Sequence, residues 1–234
     1  GTGVGEGLAM TAPARRATLP VLLERHRGQL ADCRRCGVED PAVVPILSEA
    51  TAPRIMLVGQ APGRTEMGDR RPFAGRAGKT LFRWMERAAV DEATFRRHVY
   101  IAAITRCYPG PSPSGRGDRV PSPRERQLCS SWLDAELAMI RPRVIIPVGR
   151  LAIDRFLGTD PLHELIGREI VVEHQGGRSL AIPLPHPSGA SSWVNLPANR
   201  ALLDRAIERL AVALRAVGIP HRPTLDRRPV RRSA

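Results

Sequence analysis

No apolar run in this chain reaches the roughly 18 residues that a membrane-crossing helix requires. The N-terminus lacks the basic start and apolar stretch of a secretory leader, so the chain reads as cytosolic and reduced. In such a compartment four cysteines argue for metal chemistry rather than two disulfides. No internal repeat is present, and the Gly-x-Gly-x-x-Gly fingerprint of dinucleotide binding is missing. Lysine is nearly absent: Lys79 is the only one among 36 Lys and Arg residues. That usage, with abundant Ala, Gly and Pro, fits a coding bias as well as it fits a functional demand. What remains is a net charge of +13, from 36 basic against 23 acidic residues, which suits a polyanionic partner, nucleic acid first among them.

A length of 234 residues favours one domain with tails over two equal domains. The expected division is a flexible lead over 1–16, a single domain over 17–218 and a basic, disordered tail over 219–234. The last fourteen residues carry five arginines and two prolines but little to bury. Residues 1–9 read as an unstructured lead-in before Met10 or a non-native addition. Leu19, Leu22, Leu23 and Leu30 recur at mostly helical spacing before the pattern breaks over 32–36. Ile55-Met56-Leu57-Val58 is a short apolar run that predicts a buried strand. Further strands are expected over 99–104, 144–148 and 180–184, and helices over 78–90, 123–140, 149–157 and 197–216. This alternation implies a three-layer α/β/α sandwich around a short, mostly parallel sheet. The segment 109–123, rich in Pro, Ser, Gly and Arg, reads as a mobile loop.

In such sheets working groups gather beyond the carboxyl ends of the strands. Three segments fall there: Gly59-Gln60-Ala61-Pro62-Gly63, Arg106-Cys107-Tyr108-Pro109 and His186-Pro187-Ser188. The two glycines of the first let backbone approach a flat ligand or a phosphate, but the lysine of a phosphate-binding loop is missing and no helix is expected after it. His186 precedes a proline, which disfavours helix at that residue and turns the imidazole toward a cleft. Cys33 and Cys36 have a spacing that suits one metal, while Cys107 and Cys129 lie far along the chain. Zinc usually shows a second close pair and an iron–sulfur cluster accepts scattered ligands, so spacing leans mildly toward iron. Trp193 is either a wedge beside DNA or packing beneath the loop, with packing slightly favoured.

Taken in order, Gly59-Gln60-Ala61-Pro62-Gly63, the 71–78 segment Arg-Pro-Phe-Ala-Gly-Arg-Ala-Gly, Arg106-Cys107 and His186-Pro187-Ser188 resemble the uracil-DNA glycosylase superfamily. The likeness is greatest to its family 4, the iron–sulfur branch, and runs from about Cys33 to about Leu210. It implies that Cys33, Cys36, Cys107 and Cys129 ligate a structural four-iron four-sulfur cluster. It also implies that Phe73 stacks on a flipped base, that Gln60 and the backbone near Ala61 meet the base's polar edge, and that His186 hydrogen-bonds the leaving pyrimidine. Gly59 and Ser188 would line the same pocket, and Glu66 matches an acidic position that orients water. The partner implied is DNA containing a deaminated base, and nothing demands more than a monomer.

The departures define what this chain would do differently. Gln60 stands where family 4 has Glu, which removes one charge beside the base. Ala102 and Ala103 occupy the stretch of the second strand where many relatives place a base-reading Asn. The interval from Cys107 to Cys129 is longer than usual, and His186-Pro187-Ser188-Gly189-Ala190 is closer to the loops of other branches than to His-Pro-Ala. The expected function is hydrolysis of the N-glycosidic bond of uracil or another deaminated base in DNA. The alternatives are a non-catalytic or covalently trapping binder of uracil-containing DNA, and an unrelated metal-bearing nucleic-acid-binding module.

Overall fold

The computed structural model describes residues 17–36, 40–115, 117–188 and 192–221. The expected lead over 1–16 and the basic tail beyond 221 lie outside the described residues, as do Gly189 and Ala190. Helix α1 (Leu19–Ala31) leads to β1 (Ile55–Gly59), which is followed by α2 (Arg64–Asp69), α3 (Arg76–Arg87), α4 (Glu92–His98) and β2 (Val99–Ala103). Helix α5 (Pro123–Ile140) precedes β3 (Val144–Pro147), α6 (Arg150–Leu157) and the one-turn α7 (Leu162–Leu165). A hairpin of β4 (Ile170–His174) and β5 (Gly177–Ala181), a 3₁₀ turn (Ser192–Asn195) and α8 (Pro197–Ala216) follow.

The five strands form one sheet in the order β2-β1-β3-β5-β4, parallel except for β4, which pairs antiparallel with β5 at the edge. Strand β1 is buried at all five residues, which explains its unbroken apolar run. Successive side chains of a strand point to opposite faces. Ile55 and Leu57 accordingly join a core with Leu81 and Met85 of α3 and Ile207 and Leu210 of α8. Met56 and Val58 join a second core with Leu23, Leu133 and Leu137. The sheet is thus covered on both sides, as the three-layer expectation requires. No helix among the described residues is long and apolar enough to cross a membrane.

The elements differ from the expectations at several places, the unexpected helix α4 among them. The fourth expected strand ends at Ala181 rather than running over 180–184, and Leu184 makes only an isolated bridge to Val148. Strand β4 is an addition to the expected set, because only Val172 of its five residues is buried and Glu173 and His174 dilute its apolar signal. Helix α2 follows Gly63 directly, where the sequence predicts none; its residues, RTEMGD, carry no apolar stripe to announce it. Within the segment 109–123 the described residues make specific contacts. Pro111 bridges Asp118, Arg119 N–H donates to the Gly110 carbonyl, and the Arg119 guanidinium grips both oxygens of Glu125 at 2.6 and 2.8 Å. Glu125 also closes a capping box with Ser122 at the start of α5, and Arg119 holds its carboxyl well down, at about 2.

One carboxylate ties three elements together beneath the sheet. Glu136 of α5, 0% exposed, accepts from the Arg106 guanidinium, from the Tyr100 hydroxyl of β2 at 2.8 Å and pairs with His26 Nε2 of α1 at 3.1 Å. Arg106 is itself 2% exposed. Burial disfavours its charge, but Glu136 and its neighbours outweigh that and raise its pKa. Removing one partner of such a pair strands the other charge in the interior, at a cost of about 3–5 kcal/mol. Glu136→Ala is therefore expected to lower unfolding free energy by about that amount in urea titration; a loss below about 1 kcal/mol would show that water or rearrangement shelters Arg106.

Candidate active site

Because β1, β2, β3 and β5 run parallel, their carboxyl ends open on one edge of the sheet. The loops that leave them surround a cavity of about 640 Å³, within the range of small-molecule sites. It brings together every non-metal residue expected from sequence: Gly59, Gln60, Ala61, Glu66, Phe73, His186 and Ser188 all line it. Ala102 and Ala103 also line it, and leave a wall without polar side chains at the end of β2.

Phe73 reaches this cavity through a constrained backbone. Its φ is +52°, a left-handed conformation that a non-glycine residue holds at a cost on the order of 1–3 kcal/mol. Three features hold it. Arg96, buried in α4, donates to the Pro72 carbonyl at 2.7 Å and to the Phe73 carbonyl at 3.1 Å while stacking over Phe82. Gly78 lets α3 pass so close that a Cβ there would lie 1.8 Å from the Phe73 carbonyl oxygen. Gly59 admits the ring itself, since a Cβ there would lie 3.1 Å from Phe73 Cζ. Two charge-assisted hydrogen bonds, each worth roughly 1.5–3 kcal/mol, are enough to offset the strain. Sequence reasoning missed Arg96; its partners lie 24 and 23 residues upstream, and no local pattern marks it.

Glu66 is buried, and each of its oxygens accepts a backbone N–H: Oε2 from Gly63 at 3.0 Å and Oε1 from Gly75 at 2.8 Å. Its bond from Gly63 N–H caps the start of α2, and its bond from Gly75 N–H ties the Gly59-Gln60-Ala61-Pro62-Gly63 loop to the Phe73 segment. On the opposite wall, His186 is half-buried against Gly149, where a Cβ would come within 2.9 Å of the imidazole. Ser188 N–H donates to His186 Nδ1 at 3.2 Å, which makes Nδ1 the acceptor and assigns the proton of the neutral ring to Nε2. Burial lowers the pKa of His186, so the ring is neutral at pH 7. Trp193 packs against the main core with its carbonyl held by Asn199, in keeping with the packing reading. Asp118 and Tyr108 also escaped the sequence reading. Asp118 lines the cavity from the 109–123 segment, and burial, then this carboxylate, raises the pKa of the Tyr108 hydroxyl beside it.

A second cavity adjoins the first, and Cys33, Cys36, Cys107 and Cys129 all line it. The Trp132 indole N–H donates to Cys33 Sγ at 3.3 Å. Burial, then the proximity of Cys129, Cys36 and Cys33, pushes the Cys107 thiol up to about 12. The Cys36, Cys107 and Cys129 thiols, each raised chiefly by burial, resist losing their protons together unless a cationic centre compensates. Among the described residues no three His, Cys, Asp or Glu side chains draw up to hold a single ion, although the four sulfurs share one cavity. Arg106 lines both cavities, and its buried Nε and Nη1 find no acceptor among the described residues.

Comparison with known proteins agrees with this geometry. The profile described as the uracil DNA glycosylase superfamily matches residues 47–211. The chain is similar to a type-4 uracil-DNA glycosylase of Thermotoga maritima, at 32% identity over 58% of this chain and 65% of that protein. It is similar to the type-4 uracil-DNA glycosylase of Sulfurisphaera tokodaii at 27% identity, over 87% and 89% of the two chains. The type-4 enzyme of Archaeoglobus fulgidus shares 30% identity over 68% of this chain and 78% of its own.

The His186 environment has a pH signature. A histidine whose folded pKa lies below its unfolded value of about 6.5 contributes stability that is complete above pH 6.5 and is lost as pH falls through the folded value. Imidazole-selective NMR is expected to show His186 as the Nε2–H tautomer with a midpoint below 6.5; a midpoint above it would mean an anionic neighbour stabilises the charged ring.

Proposed function

Because the chain belongs to the uracil DNA glycosylase superfamily, we propose that it hydrolyses the N-glycosidic bond of uracil, or of another deaminated base, in DNA and leaves an abasic site. The observation that carries this reading is His186, whose neutral ring keeps Nε2–H free to donate on the cavity shared with Phe73 and Gln60. A base stacked in a duplex is out of reach, so the nucleotide turns out into the cavity, and a mispaired uracil costs less to extrude than a paired base. Arg64 and Arg76, exposed where they line the cavity, meet the flanking phosphates. Phe73 stacks on the base. Gln60 meets its polar edge with both donor and acceptor where a carboxylate would offer acceptors alone, and the backbone of Gly59 and Ala61 closes around it with Ser188.

Bond cleavage leaves positive charge on the deoxyribose and negative charge on the base. His186 Nε2–H stabilises the base anion, and one preorganised donor of this kind is worth roughly 3 to 4 kcal/mol, about 10²–10³ in rate. Glu66, fixed by its two backbone bonds, places a carboxylate on the sugar side.

The reading extends to the cysteine cavity, where Cys33, Cys36, Cys107 and Cys129 would hold a four-iron four-sulfur cluster. An all-sulfur donor set in one cavity, with two of its ligands far apart along the chain, supports the cluster, and the unpaired N–H groups of Arg106 suit an anionic sulfur-rich group. When bound, the cluster cross-links the segments that carry the cysteines and takes no part in the reaction. Anaerobically purified protein is expected to show the broad visible absorption of such a cluster; a colourless protein carrying zinc would contradict it.

His186→Ala is expected to lower single-turnover base release by about 10²–10³ while leaving cluster absorbance and duplex affinity intact. An unchanged rate would remove His186 from the mechanism, and a heat-stable protein–DNA adduct with the wild-type chain would identify a trapping protein instead of a turning-over enzyme.

A further inference from the structure

The geometry points to Asp118 as the residue that receives the proton of the attacking water, a role resting on the glycosylase reading above. Gln60 brings no charge to the cavity, and Glu66 has both oxygens engaged by backbone N–H groups and is buried. Asp118 stands on the same wall but is exposed, so it can pass a proton to solvent. Gly63 marks the meeting point: a Cβ there would lie 2.8 Å from Asp118 Oδ2 and 2.8 Å from Glu66 Oε2. Two carboxylates therefore face one backbone position at the start of α2, where any side chain would intrude.

The segment that carries Asp118 is built to aim it. Pro111 bridges Asp118, and the flanking Ser112 N–H to Gly117 carbonyl and Arg119 N–H to Gly110 carbonyl bonds fix the backbone on both sides. Burial, then the nearby Asp118 carboxylate, raises the pKa of the Tyr108 hydroxyl, which places the two side chains close together. Arg119, the adjacent cation, is committed to Glu125 through two hydrogen bonds, so it does not neutralise Asp118. Arg64, Glu66, Arg76, Arg106 and His186 are the other titratable groups lining the cavity. In the reaction the bond from C1′ to the base nitrogen breaks and its electron pair leaves with the base beside His186. The water oxygen bonds C1′, and its proton moves to the Asp118 carboxylate and on to solvent. The base anion then takes a proton from water.

The test uses the full chain, with its cluster, on a duplex containing one deoxyuridine. Asp118→Asn is expected to lower the single-turnover rate by about 10² or more, the usual range for a lost acid–base group. Affinity for a duplex with a non-hydrolysable 2′-fluoro analogue should stay within about twofold, since Asn keeps the shape. Asp118→Ala should be slow and should recover with added formate, which leaves the wild-type rate unchanged. Asp118→Asn at the wild-type rate, or Asp118→Ala that is slow and indifferent to formate, would overturn the assignment while wild-type base release continues. A wild-type chain that releases no base would overturn the glycosylase reading, and this inference with it.

Discussion

Arg106 and Glu136 form the ion pair on which the two halves of the site depend. Both are withdrawn from water, so each requires the other, and that mutual need fixes the end of β2 against α5. Glu136 also gathers Tyr100 from β2 and His26 from α1. These are the three segments that deliver the cysteines: α1 leads into Cys33 and Cys36, β2 into Cys107, and α5 carries Cys129 two turns before Glu136. One carboxylate thus sets the frame of the cysteine cavity, and Arg106, lining both cavities, joins that frame to the larger cavity. A cluster bound as proposed would reinforce a scaffold whose polar centre already exists.

The pocket itself follows from sheet topology. Parallel strands send their loops to one edge, and each loop there supplies a different kind of group: backbone and an amide after β1, apolar walls and Arg106 after β2, an imidazole after β5. Rigidity is concentrated where chemistry needs it. Phe73 holds a left-handed backbone because Arg96 and two glycines leave it nowhere else to go, and His186 holds one tautomer because Ser188 N–H occupies Nδ1.

Much of this was legible in the sequence because its signals are local. The apolar run of β1 and the long helices α5 and α8 announce themselves through burial on both sheet faces and through helical spacing. His186 and Gln60 stood out in short motifs at strand ends, and Phe73 through the resemblance carried by the 71–78 segment. What escaped is tertiary. Arg96 looks like one arginine among many until it meets the Pro72 and Phe73 carbonyls, and Asp118 sits in a Pro- and Gly-rich stretch whose folded course depends on Arg119 reaching Glu125. Strand β4 is an exposed edge, so its pattern is weak by construction. The role of Glu66 shifted for the same reason: its acidic position was visible, but the two N–H groups that occupy it come together only in the fold.

The central claim is that this cavity breaks the bond between a deaminated base and its sugar. It is tested most directly by mixing excess anaerobically purified protein with duplexes that each carry one deaminated base, and measuring free base by mass spectrometry alongside alkali-labile strand. The expected result is one free base per duplex and an equal yield of alkali-labile strand for at least the uracil duplex. Intact strands and no free base from uracil, hypoxanthine and xanthine duplexes alike would contradict it.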